Sequence, residues 1–264
     1  MRERLDVQHS KNFGHDLLPN RTALLIQRMH CTENWGPKRR LIQTLQEIFH
    51  SVWFVDLKNC PSGSIPGIPK EYVIPSAPRA HGPNVQFWFI VDYVLPEIRN
   101  VGVLTMHADA FVSPLLFKNA NKDCTLSTEF DIRPSPPKAA WGWHWPRQGK
   151  LVNDTMRNYN FIKDNVSNGW VDIYYIPPGL VKSYNRYAVA FRNVGVMNEV
   201  AVATIINWLE GCKENIKCAG GAEKKVDEVD FGRVACGHKV NLRDSKVVSR
   251  LYDHYSRGFH VSTR

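Results

Sequence analysis

The sequence has no long hydrophobic run. The longest, Val85 to Leu95, is about half of the roughly 20 residues a membrane-spanning helix needs, and Asp92 interrupts it. An apolar leader is also missing, because Met1-Arg2-Glu3-Arg4-Leu5-Asp6 is charged. As written, the chain predicts a cytoplasmic protein unless an anchor or leader precedes it. No C-x2-C spacing occurs among Cys31, Cys60, Cys124, Cys212, Cys218 and Cys236, which argues against a zinc ribbon or a redox pair. Repeats, heptads and low-complexity tracts are lacking, so solenoids and coiled coils are excluded. There is no RRM, KH or helix-turn-helix signature, and the basic clusters Lys38-Arg39-Arg40 and Lys224-Lys225 are short, which argues against nucleic acid as a partner. Acidic residues are the minority: 25 Asp and Glu against 34 Lys and Arg give a net charge of +9, which favours anionic partners.

With 264 residues, 43% of them hydrophobic, the chain can bury one sizeable core, so a single domain is expected over residues 20–264 behind a polar extension or stem remnant at 1–19. Thr22 to Ile26 reads as a strand. Leu41, Ile42, Leu45, Ile48 and Phe49 then recur at helical spacing after Pro37, and Ser51 to Leu57 is a second strand. After a Pro- and Gly-rich loop from Lys58 to Pro83 the rhythm resumes, with a helix from Asn84 to about Leu95 and a strand at Val101 to His107. A strand at Trp170 to Ile176, a Pro177-Pro178 break and two helices follow. The second of these starts near Asn198, with an apolar stripe of Val202, Ile205, Ile206 and Leu209. Asp244 to Tyr255 closes the chain as a helix. Alternating strands and helices imply an α/β fold with a sheet packed on both faces.

The most informative stretch is Val101 to Pro114, where an apolar strand ends in His107-Ala108-Asp109. Alternation along a strand points His107 and Asp109 to the same side, at the carboxyl end where ligands of open α/β sheets bind. An imidazole beside a carboxylate can hold a divalent cation such as Mn²⁺, which accepts mixed N/O ligands. The competing reading is structural, with a hydrogen-bonded His and an Asp capping the turn near Ser113-Pro114.

This arrangement resembles GT-A glycosyltransferases, whose Asp-x-Asp ends an apolar strand after a nucleotide-binding βαβ region. The layout covers roughly residues 20 to 240 and rests on one short motif, with His107 standing at the first acidic position. The resemblance implies a GT-A-like domain with a mixed, mostly parallel sheet. It also implies Mn²⁺ (or Mg²⁺), a nucleotide-sugar donor, and a hydroxyl acceptor on a glycan, glycolipid or protein. Asp109 and His107 would bind the metal and donor diphosphate, with His238 of Cys236-Gly237-His238 as a late third ligand. Asp56 ends the second strand at the donor's base or ribose, or forms a turn. Glu199 stands where inverting enzymes of this type often place a catalytic base; Asn198 as N-cap with Glu199 in the first turn is the structural alternative. Trp141, Trp143, His144 and Trp145 offer flat surfaces for stacking sugars, or a loop folded onto the core.

Two other readings remain: a non-catalytic phospholigand- or nucleic-acid-binding α/β protein, motivated by the charge and the aromatic content, and a degenerate transferase that has lost turnover. The transferase reading carries an expectation of the Golgi or ER lumen. The sequons at Asn20, Asn153 and Asn165, which mark surface loops in a secreted glycoprotein, point the same way, as does the even cysteine count. Among possible disulfides, Cys212 with Cys218 is the most local pair.

Overall fold

A run such as Ala23-Leu24-Leu25-Ile26 buries both of its faces only inside a sheet covered on both sides. All four residues are at most 3% exposed. The computed structural model of the protein describes residues 18–27, 35–55, 73–74, 100–128, 130–134, 147–163, 165–169, 171–219, 230–242 and 244–259. A short 3-10 turn, Leu18–Arg21, leads into β1 (Thr22–Gln27), α1 (Trp35–Ile48), β2 (Ser51–Val55), β3 (Val73–Ile74) and β4 (Gly102–His107). Then come β5 (Ala110–Val112), α2 (Pro114–Asn119), β6 (Thr125–Ser127), β7 (Phe130–Pro134), α3 (Arg147–Asn158) and β8 (Asn165–Gly169). The chain continues with β9 (Ile173–Ile176), α4 (Pro178–Val194), α5 (Asn198–Trp208), β10 (Lys213–Asn215), β11 (Cys236–His238) and α6 (Ser245–Gly258).

The main sheet has seven strands in the order β3-β2-β1-β4-β9-β6-β10. Only β9 opposes its neighbours β4 and β6, while the other neighbouring pairs are parallel. The fold is therefore α/β with a mixed, mostly parallel sheet. From β1 the strands step outward through β2 to β3, and β4 then lies on the other side of β1. This reversal is a topological switch point, where the carboxyl ends of two parallel strands leave a crevice. Two antiparallel ribbons, β5 with β11 and β7 with β8, complete the strands.

Leu24 and Ile26 face one side of the sheet and Ala23 and Leu25 the other, as alternation requires. The first side packs on α1, through the expected stripe of Leu41, Ile42, Leu45 and Ile48 with Phe49 just beyond, and on α6 through Val247, Val248, Leu251 and Tyr255. Asp244 caps α6 by accepting the Lys246 N–H at 2.8 Å, an interaction worth about 1 kcal/mol. The second side packs on α4 and α5. The Pro177-Pro178 break begins α4, with Pro177 as N-cap and Pro178 inside the first turn, where a missing N–H is harmless.

The single stripe expected on α5 is wider in the structure. Val200, Ala201, Ala203 and Thr204 are buried along with Val202, Ile205 and Ile206. The reason is β8, which runs along the helix: the Ser167 N–H donates to Thr204 Oγ1 at 3.0 Å, that hydroxyl donates to the Ser167 carbonyl at 3.0 Å, and Trp208 Nε1 donates to the Asn165 carbonyl at 2.9 Å. The cap also differs. Met197 is the N-cap and Asn198 is already helical and buried, while the Met197 N–H donates to Gln148 Oε1 of α3 at 2.7 Å.

The cysteines pair as Cys124 with Cys212 and Cys218 with Cys236, so the local Cys212–Cys218 bridge does not form. Between the two lies β10, and an extended chain advancing about 3.3 Å per residue carries them apart instead of looping back. Cys31 and Cys60 lie outside the described residues. The sequons are not all surface loops. Asn20 is exposed in the 3-10 turn, but Asn153 is helical with its Thr155 fully buried, and Asn165 is a strand residue whose side chain accepts from Asn207 at 2.9 Å.

Candidate metal centre

β4 is buried along its whole length and delivers His107 to its carboxyl end, beside Gln27 of β1 in register, at the switch point. Ala108 and Asp109 turn the chain into β5, whose pairing with β11 sets Ala110 opposite His238 and so brings His238 next to Asp109. On the other flank of β4, antiparallel β9 pairs Ile173 with Met106, which places Asp172 across from His107. The His107 N–H donates to the Asp172 carbonyl at 3.0 Å.

Four titratable side chains therefore converge. His107 Nδ1 lies 2.9 Å from Asp172 Oδ1, His238 Nδ1 lies 3.0 Å from Asp172 Oδ2, and His238 Nε2 lies 3.1 Å from Asp109 Oδ1. The two imidazoles meet edge to face with centroids 5.4 Å apart. The cluster is graded in exposure: the side chains of His107, His238 and Asp172 are 7%, 14% and 19% exposed and that of Asp109 is 49% exposed, so solvent reaches it from the Asp109 side.

Burial works against the charged form of Asp109, but the hydrogen bond and charge of His238, with the charge of His107, hold its carboxyl below the usual range. Asp172 behaves in the same way: burial opposes its charge, while the hydrogen bond and charge of His107 and the charge of His238 lower its pKa overall. Burial likewise disfavours a charged His238, yet Asp109 and Asp172 raise its pKa overall, against a smaller opposing effect from Lys239. Perturbed ionisable groups gathered at one end of a sheet mark a candidate functional site.

The backbone around His238 is held tightly. Ala219 N–H donates to the Cys236 carbonyl at 2.7 Å and His238 N–H to the Ala219 carbonyl at 3.1 Å, just beyond the Cys218–Cys236 bridge. Lys239 then adopts a left-handed φ of 65°, uncommon for a residue with a side chain. This turn lets the Val240 N–H donate to the Asp109 carbonyl at 2.8 Å, closing the ribbon beneath the cluster. Gly237 is required here because a Cβ at this position would run into the Phe111 ring.

One ligand atom from each of His107, Asp109 and His238 lies within 4.8 Å of the others, a grouping that could hold one cation. A second group, Cys124, Cys212 and Glu214, has the same closeness, but its cysteines are joined in a disulfide and its Glu214 accepts the Asn121 N–H. The residues expected as ligands from the sequence are thus brought together, and Asp172 joins them. Glu199 lies in the first turn of α5, partly buried. Asp56, Trp141, Trp143, His144 and Trp145 lie outside the described residues. In sequence Asp172 reads as part of a strand; only its pairing opposite His107 marks it out. The chain matches no family model and no curated protein.

Proposed function

We propose that the protein is a metal-dependent, GT-A-like glycosyltransferase that moves a sugar from a nucleotide-sugar donor to a hydroxyl on a glycan, glycolipid or protein. The observation that carries this reading is the meeting of His107, Asp109 and His238 at the carboxyl end of β4, beside the switch point. Mixed imidazole and carboxylate donors suit Mn²⁺, whereas Mg²⁺ prefers oxygen and water. When bound, Mn²⁺ supplies positive charge that stabilises the departing nucleoside diphosphate. In this scheme His107, Asp109 and His238 hold the cation. Lys239, close enough to act on His238 through its charge, adds a basic group. Glu199 takes the proton of the acceptor hydroxyl, Asp56 meets the donor's base or ribose, and Trp141, Trp143, His144 and Trp145 form the acceptor platform. The two cysteine pairs suit an oxidising compartment, and we place the enzyme in the Golgi or ER lumen.

The donor set itself favours a second reading. Two imidazoles and one carboxylate are also the ligands of non-haem iron(II) oxygenases. Incubation with a panel of nucleotide sugars separates the two. The transferase reading expects Mn²⁺-dependent release of nucleoside diphosphate that Asp109→Ala abolishes. Oxygen uptake with Fe²⁺ and no nucleotide release from any donor would overturn it.

A further inference from the structure

Asp172 touches both imidazoles of the cluster at once. Its Oδ1 is 2.9 Å from His107 Nδ1 and its Oδ2 is 3.0 Å from His238 Nδ1. The residue is itself anchored, because it immediately precedes β9 and its carbonyl accepts the His107 N–H at 3.0 Å. An ionised carboxylate has acceptor oxygens and no donor, so it selects a His107 ring that carries a proton on Nδ1, while it meets His238 through charge. A neutral ring protonated at Nδ1 keeps its ligating lone pair on Nε2. His238 is held differently, with its Nε2 donating to Asp109 Oδ1 at 3.1 Å on the more exposed side of the cluster.

Resting on the metal reading above, we propose that Asp172 is a positioning residue of the centre: its carboxylate sets the tautomer and orientation of His107, so that this ring presents Nε2 as a ligand. Carboxylates behind metal-bound histidines fix ring orientation in this way, and losing one costs about 10–100-fold in metal affinity. An amide at position 172 loses the charge and can turn its NH₂ toward Nδ1, so it no longer enforces the Nδ1–H tautomer of His107. Asp172 lies outside the group of three whose ligand atoms gather within 4.8 Å, which fits a role behind the ligands.

The test titrates Mn²⁺ alone, without nucleotide, into the wild type, Asp172→Asn and Asp172→Glu, with pulsed EPR of the bound Mn²⁺ to detect imidazole nitrogen couplings. Asp172→Asn is expected to bind Mn²⁺ roughly 10–100-fold more weakly, with diminished nitrogen couplings and an unchanged melting temperature for the metal-free protein. Asp172→Glu keeps two acceptor oxygens and should bind more tightly than Asp172→Asn, which holds the test open if the amide variant folds poorly. Wild-type affinity in Asp172→Asn overturns the proposal, as does weaker binding with undiminished nitrogen couplings, which makes Asp172 a ligand instead. Because no donor sugar is present, absence of sugar transfer bears on the transferase reading alone. Absence of Mn²⁺ binding by the wild type overturns both.

Discussion

Two groups of buried or half-buried polar side chains among the described residues differ in kind. Along α5 and β8 they are neutral: Thr204 exchanges hydrogen bonds with the Ser167 backbone, Trp208 donates to the Asn165 carbonyl, and Asn207 donates to the Asn165 side chain. At the end of β4 they are ionisable, with two carboxylates and two imidazoles in contact. Neutral hydrogen bonds fix how a helix and a strand meet, each contributing about 0.5–1.5 kcal/mol, and they carry no charge to be desolvated. Burying charges is expensive even when they are paired, and an ion pair is weak as a source of stability. The comparison teaches that the neutral group serves the fold, while the ionised group adds little to stability, which is what a proposed metal centre would look like.

The strongest test of that difference is Asp109→Ala. It removes the most exposed carboxylate of the cluster and should weaken Mn²⁺ binding by more than the roughly 10–100-fold that losing an outer partner costs. Calorimetry with Mn²⁺ measures this directly, and the metal-free melting temperature should barely move. Next in size is Cys218→Ser. Opening the bridge that closes an 18-residue separation to Cys236 should cost about 3 kcal/mol in denaturant unfolding. It should also weaken Mn²⁺ binding, because Cys236 and His238 share β11.

Gly237→Ala and Thr204→Val sharpen the comparison, since both should cost about 1–3 kcal/mol of stability by different routes. The first drives a methyl group into Phe111 and displaces the strand that carries His238, so Mn²⁺ affinity should fall with stability. The second strands the Ser167 N–H and carbonyl at α5 and should leave Mn²⁺ affinity unchanged. A loss of metal affinity in Thr204→Val would erase the distinction between the two groups.

The smallest expected effect is one of pH. His254 of α6 contacts Ser113 Oγ at 3.2 Å; burial lowers its pKa, Asp230 opposes that and Arg257 adds to it. A histidine whose pKa is depressed on folding lets the unfolded chain take up the proton first, so its contribution to stability is present above the ordinary value of 6.5 and lost as the pH falls below it. His254→Gln should therefore lose less stability than the wild type between pH 7.5 and 5.5 in thermal melts.

What the sequence disclosed follows the same division. The strands β1, β2 and β4 and the helices α1 and α6 were legible because each meets the core on a pattern that periodicity reveals, as Leu41, Ile42, Leu45 and Ile48 do on α1. The breadth of burial on α5 was not, because it depends on β8 lying across the helix, a long-range pairing that the local pattern does not encode. His107 and Asp109 could be named from residue type and position at a strand end, and His238 only as the late ligand that the resemblance to GT-A transferases implies. Asp172 could not, since its role comes from the antiparallel register of β9 against β4. The cysteine pairing failed for a related reason: nearness in sequence is overridden when a strand such as β10 separates two residues.

The central claim is that the ionised cluster binds a cation that in turn holds a nucleoside diphosphate. Isothermal calorimetry of nucleoside diphosphates into the wild type and Asp109→Ala, each with and without Mn²⁺, tests it most directly. The account predicts binding by the wild type only when Mn²⁺ is present, and none by Asp109→Ala under either condition. Equal binding by the two proteins, or wild-type binding indifferent to Mn²⁺, would contradict it.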